Sequence, residues 1–119
     1  MRSVISVVDD DDPLRLSLRA LFGSAGYEVE MFASAADFLS SGPLERVGCL
    51  VLDVQMPGIN GPELQAMLAR LPSAPPIIFV TSRTDDALRA RLLSRGARAV
   101  LYKPFDPDIL LALVAVVSR

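Results

Sequence analysis

Histidine is absent from this 119-residue chain. Its absence excludes imidazole general-base chemistry, histidine metal ligation and any phosphohistidine of the protein's own. Cysteine occurs once, so no internal disulfide can form, as fits a reducing compartment. Cys49 sits in an apolar run and reads as a small core residue rather than a reactive thiol. A large charge excess is also missing: a net charge of -2 gives no reason to expect nucleic-acid binding by this domain. The longest apolar run, Ile109 to Val117, falls far short of the roughly 20 residues needed to cross a bilayer. A single Arg2 followed soon by acids is not a signal peptide. The expectation is a soluble, cytoplasmic protein with no membrane association. Finally, lysine occurs once, as Lys103, and every other basic side chain is arginine. A lysine serving solubility would have counterparts elsewhere, and this one has none.

Half of the residues are hydrophobic, enough for one globular domain with a core of its own. Short β-branched runs alternate with helical patterns, the signature of βαβ units around a parallel sheet. The first strand is expected from about Ser3 to Val8. Asp12 then reads as an N-cap, with Pro13 at the first helical position. Leu14, Leu18, Leu21, Phe22 and Ala25 recur at helical spacing, and Gly26 closes the helix. Tyr27 to Phe32 alternates like an edge strand with one wet face. Ser34 caps a short second helix that ends near Ser41-Gly42-Pro43. Cys49 to Asp53 is apolar until its last residue and is expected to be central. Turn chemistry at Met56 to Gly61 leads into a third helix with Leu64, Met67, Leu68 and Leu71 on one face and Pro72 past its end. Ile77 to Thr81, Asp85 to Ser94, Ala99 to Lys103 and Asp106 to Ser118 complete the alternation as strand, helix, strand, helix. Right-handed crossovers then give an α/β fold, a doubly wound five-stranded parallel sheet with helices on both faces and a crevice at its carboxyl ends.

That crevice collects the informative polar residues. Asp9-Asp10 follow the first strand, Asp53 ends the third, Thr81 the fourth, and Lys103 the fifth. Two adjacent carboxylates and a third nearby repel one another unless a cation neutralises them. Oxygen ligands without histidine or cysteine select a hard ion, and Mg²⁺ is the expected one. Mg²⁺ prefers one or two carboxylates plus phosphate oxygens, so such a site awaits a phosphoryl group. Lys103 would act on that group as a point charge and Thr81 as a hydroxyl donor. Asp53 is the natural nucleophile. Each residue has a plainer reading alone: strand-end loop chemistry for Asp9-Asp10, a turn former for Asp53, a satisfied hydroxyl for Thr81, a snorkelling side chain for Lys103. Their joint placement favours the site. Asp11 and Asp12 are explained by the start of a helix.

Val8-Asp9-Asp10 with Pro13, Leu52-Asp53 with Met56-Pro57-Gly58 and Gly61, Val80-Thr81, and Lys103-Pro104-Phe105 together resemble the receiver domain of two-component response regulators. The likeness covers residues 1–119 as a single receiver domain, without an output domain, and looks closest to nitrogen-fixation-type regulators. It implies the flavodoxin-like strand order 2-1-3-4-5. It also implies that Asp53 takes a phosphoryl group from a phosphohistidine on a partner histidine kinase. Asp10, Asp53 and the backbone carbonyl of Gln55 would bind Mg²⁺, with Asp9 acting through a water. Lys103 would pair with the phosphoryl oxygens, next to a cis bond to Pro104. Thr81 would turn toward the phosphoryl group and draw in the loop before the fourth helix. The surface of the fourth helix, fifth strand and last helix would then control homodimerisation or partner binding. The implied protein is a signalling protein rather than an enzyme.

Departures from the family pattern narrow this reading. Many receivers carry an aromatic residue three before the lysine, where this chain has Val100. Tyr102 shares a strand face with Val100 and is the alternative switch aromatic. Ser82 and Gln55 border the site and are expected to tune phosphoryl lifetime. The last helix has no polar residue from Ile109 to Val117, which favours an interface, with Arg83, Arg89, Arg91, Arg95 and Arg98 as its polar rim. An Asp-nucleophile phosphatase would need a second aspartate where Gln55 stands. A nucleotide- or flavin-binding module would need a glycine-rich cradle where four aspartates stand. A receiver-shaped interaction module not regulated by phosphate is the remaining alternative.

Overall fold

Five short runs rich in β-branched residues form one parallel sheet, in the order β2-β1-β3-β4-β5, in a computed structural model that describes residues 3–118. Arg2 lies outside the described residues. The strands are β1 (Val4–Val8), β2 (Glu28–Phe32), β3 (Val47–Asp53), β4 (Ile77–Thr81) and β5 (Ala99–Tyr102). The helices are α1 (Asp12–Ser24), α2 (Ala35–Leu39), α3 (Gly61–Leu68), α4 (Asp86–Ser94) and α5 (Pro107–Val117). This is the expected doubly wound, flavodoxin-like topology. Alternate residues of each inner strand enter two cores. Leu50, Leu52 and Phe79 pack with Phe38, Leu64, Leu68 and Leu92 on the face covered by α2, α3 and α4. Cys49, Val51, Ile78 and Val80 pack with Leu18, Phe22, Leu110 and Val114 on the face covered by α1 and α5. Burial pushes the Cys49 thiol up to about 12, so it is an inert core group.

Three local expectations are corrected. Asp11, not Asp12, caps α1: its carboxylate accepts the Leu14 N–H at 3.1 Å and its carbonyl accepts the Arg15 N–H at 3.0 Å. Asp12 is thereby the first helical residue, paired with Arg15 one turn on. The central strand starts at Val47, two residues before Cys49, because Val47 pairs with Val4 across a register shift. The face of α3 also differs. Leu64 and Leu68 are buried, but Met67 and Leu71 are exposed, and Gln65 takes the inner position with Gly61. Residues 61, 64, 65 and 68 form the stripe against the sheet, and the helix stops at Leu68, so Leu71 lies beyond it. The other bounds agree to within a residue or two; β5 ends at Tyr102, leaving Lys103 just past its edge.

Gly61 shows why α3 can begin so close to the sheet. A Cβ there would stand 2.3 Å from the Asp53 carbonyl oxygen and 3.0 Å from the Val54 Cα. The obstacle is backbone, which cannot rotate away. Gly61→Ala is therefore expected to cost about 1–3 kcal/mol, read as a lower urea midpoint, and to displace the end of β3.

Candidate functional site

Parallel register aligns the strand ends. Val8 pairs with Leu52, Asp53 with Val80, and Thr81 with Tyr102. Asp9, Asp53, Thr81 and Lys103 are thus delivered to one carboxyl edge by hydrogen bonding alone. Asp9 is fully buried, Asp53 and Thr81 nearly so, while Asp10 is exposed. Asp9, Asp10 and Asp53 each offer a carboxylate oxygen within 4.8 Å of the others. Of the residues expected to form a site, Asp9, Asp10, Asp53 and Lys103 are brought together, whereas the Thr81 and Tyr102 hydroxyls engage Arg83 and Asp86.

Lys103 reaches across this edge. Its Nζ donates to Asp9 Oδ2 at 2.9 Å and lies 3.6 Å from Asp53 Oδ1. Burial works against its ammonium, but the hydrogen bond and charge of Asp9 outweigh it, so its pKa lies above the ordinary value. The Asp53 carboxyl also moves up, which for an acid disfavours the charged form. Burial, then the neighbouring Asp9 charge, pushes it up to about 7, although Lys103 opposes the shift. One cation is too few for three acids. An all-oxygen donor set with this unbalanced charge fits a hard divalent ion such as Mg²⁺.

The supporting contacts explain how each acid is aimed. Asp9 Oδ1 accepts the Asp11 N–H at 3.0 Å, leaving its other oxygen on Lys103. Arg15 donates to the Asp9 carbonyl at 2.6 Å, a contact unmarked in the sequence except by its i,i+3 spacing from Asp12. The Gln55 N–H donates to Asp53 Oδ1 at 3.4 Å. Thr81 is engaged twice: its Oγ1 accepts the Arg83 N–H at 3.0 Å and its carbonyl accepts the Lys103 N–H at 2.7 Å. The peptide bond from Lys103 to Pro104 is cis, as the family pattern implies. Tyr102 packs on the same core as Val100, and its hydroxyl donates to Asp86 Oδ1 at 2.9 Å. Among the described residues no helix is long and apolar enough to cross a membrane.

Residues 5–115 match the family model of the response regulator receiver domain. Nodulation protein W of Bradyrhizobium diazoefficiens is 43% identical over 119 residues, covering 99% of this chain and 52% of that protein. The transcriptional regulatory protein FixJ of the same organism is 40% identical over 115 residues, covering 97% of this chain and 56% of that protein. The solved response regulator StyR superposes with a TM-score of 0.90 at 41% identity, covering 98% of this chain and 59% of that one. The chain spans about half the length of the curated relatives it matches. Receiver domains of response regulators are signalling domains that take phosphate from sensor kinases. The match runs through every strand and helix described above, and the chain belongs to the response regulator receiver domain family.

Proposed function

We propose that Asp53 is the phosphoacceptor of a Mg²⁺-dependent signalling switch served by a sensor histidine kinase. One observation carries this reading: Asp53 and Asp9 are buried side by side, with Asp10 beside them and Lys103 bridging the two. A purely structural edge would not gather three acids around one ammonium at a desolvation cost. Asp53 Oδ attacks the phosphorus of a phosphohistidine, the phosphorus–nitrogen bond breaks, and the electron pair leaves with the partner's imidazole. Asp10, Asp53 and the Gln55 carbonyl would hold the ion, and Asp9, its oxygens already occupied, would act through a water. When bound, Mg²⁺ supplies the positive charge that offsets carboxylates and phosphoryl oxygens. Lys103 would leave Asp53 for the new phosphoryl oxygens, and Thr81 would turn toward them once the Arg83 N–H is released.

The output is a change of surface rather than a turnover of substrate, so the domain acts as a signalling protein, not an enzyme, within the cytoplasm and without contacting nucleic acid itself. The α4-β5-α5 face is the proposed homodimer or partner surface. Ile109 and Val116 of α5 are exposed, as are Arg89, Arg91, Arg95 and Arg98 in and after α4. Incubation with Mg²⁺ and acetyl phosphate, followed by intact mass and oligomer size, tests the reading. A gain of one phosphoryl mass, absent from Asp53→Asn and lost with chelator, is expected. No gain with any donor, together with no Mg²⁺ binding, would sink it.

A further inference from the structure

Helix α4 is fastened at both ends by side chains of other elements, and the two fastenings differ in kind. The helix buries only Leu92 fully, with Leu88 and Leu93 packed in part, so little apolar surface fixes its position. At its carboxyl end, Gln65 of α3 is buried, and its Nε2 donates to the Leu92 carbonyl at 3.1 Å and the Arg95 carbonyl at 3.5 Å. The amide cannot be reversed, because Oε1 would then face those carbonyls. Its Oε1 has no hydrogen-bond partner among the described residues, so the two bonds from Nε2 are what hold the buried amide. At the amino end, the Tyr102 hydroxyl donates to Asp86 Oδ1 at 2.9 Å in an exposed position. Water competes for the second contact and not for the first.

Tyr102 is also the register partner of Thr81 in the neighbouring strand. Between Thr81 and α4 lie residues 82–85, among them Arg83, whose N–H holds the Thr81 hydroxyl oxygen, and Asp85, which caps α4 and pairs with the Arg83 side chain at 3.4 Å. Any turn of Thr81 therefore pulls on the amino end of α4, where Tyr102 holds it.

We propose that Tyr102 and Gln65 are positioning residues for the phosphorylation switch: Tyr102 is a releasable tether on the amino end of α4, and Gln65 is the pivot that stays. The inference rests on the reading of Thr81 as the residue that turns toward the phosphoryl group, but its first test does not.

Hydrogen exchange of the metal-free, unphosphorylated protein decides the tether. In Tyr102→Phe, amides 84–89 should exchange about two- to tenfold faster, the effect of one exposed hydrogen bond, while 92–97 stay as in the native chain. Asp86→Ala should have the same effect, and the double variant no more than either alone. In Gln65→Met the pattern should invert, with 92–97 faster and 84–89 unchanged. A second readout is beryllofluoride binding in the presence of Mg²⁺, which should tighten by the same factor in Tyr102→Phe because the tether no longer has to be broken. Native exchange in Tyr102→Phe, or additive effects of Tyr102→Phe and Asp86→Ala, would overturn the proposal. If the native chain binds no beryllofluoride, the phosphoryl reading fails instead, and the exchange result still decides the tether.

Discussion

Asparagine at position 53 is expected to make the metal-free protein more stable at pH 8, by about 2–4 kcal/mol, while abolishing phosphoryl uptake. The Asp53 carboxyl is pushed up to about 7 in the folded chain, from an ordinary value of 3.8. Between those values the folded state binds more protons than the unfolded one, so stability falls as pH rises. The contribution of the neutral acid is fully present below about pH 4 and is lost as pH passes through about 7. At pH 8 the native chain carries a buried charge beside Asp9, whereas the asparagine variant does not. Urea unfolding at pH 5 and pH 8 checks this. The native midpoint should drop between the two, and the variant's should drop much less. Mg²⁺ should raise the native midpoint at pH 8 and leave the variant nearly unmoved.

Lys103→Ala should act in the opposite direction. Lys103 Nζ is the hydrogen-bonded cation of Asp9, whose side chain has no exposed surface. Removing one partner of a fully buried pair costs about 3–5 kcal/mol, and the one-fifth exposure of the lysine lowers the expectation to about 2–3 kcal/mol. In the sequence a strand-end lysine carries no sign of a buried partner. Loss of Lys103 also removes the charge that holds the Asp53 carboxyl down, so the fall in stability with rising pH should extend to higher pH and be larger. Saturating Mg²⁺ should recover part of the loss, since it returns positive charge to the same acids. Phosphoryl uptake should persist, slowed, while any change in oligomer size on phosphorylation disappears.

These two variants differ in sign because the site is a charge cluster short of cations, and that shortage was partly legible in the sequence. The apolar runs before Asp9, Asp53, Thr81 and Lys103 announced parallel strands, and parallel register then leaves no freedom about which residues meet. The doubly wound parallel architecture followed from the alternation of elements, and the strand order from the family resemblance. What escaped was of shorter range. Asp11 and Asp12 are both good caps, and only the path of the chain after Asp9 decides between them. Gly48 breaks the β-branched pattern and hid the start of β3. Met67 and Leu71 looked inward by spacing, yet α3 turns Gln65 to the inside, where α4 supplies carbonyls from residues 27 and 30 positions away. The contacts of Arg15 with the Asp9 carbonyl and of Tyr102 with Asp86 depend on how the chain folds back at this edge.

The most direct measurement locates the phosphoryl group. Borohydride reduces an aspartyl phosphate to homoserine, which peptide mass spectrometry places in the sequence. After treatment with Mg²⁺ and acetyl phosphate, the account predicts homoserine at position 53 and at no other aspartate. Homoserine at position 9 or 10, or none while the intact mass rises, would contradict it.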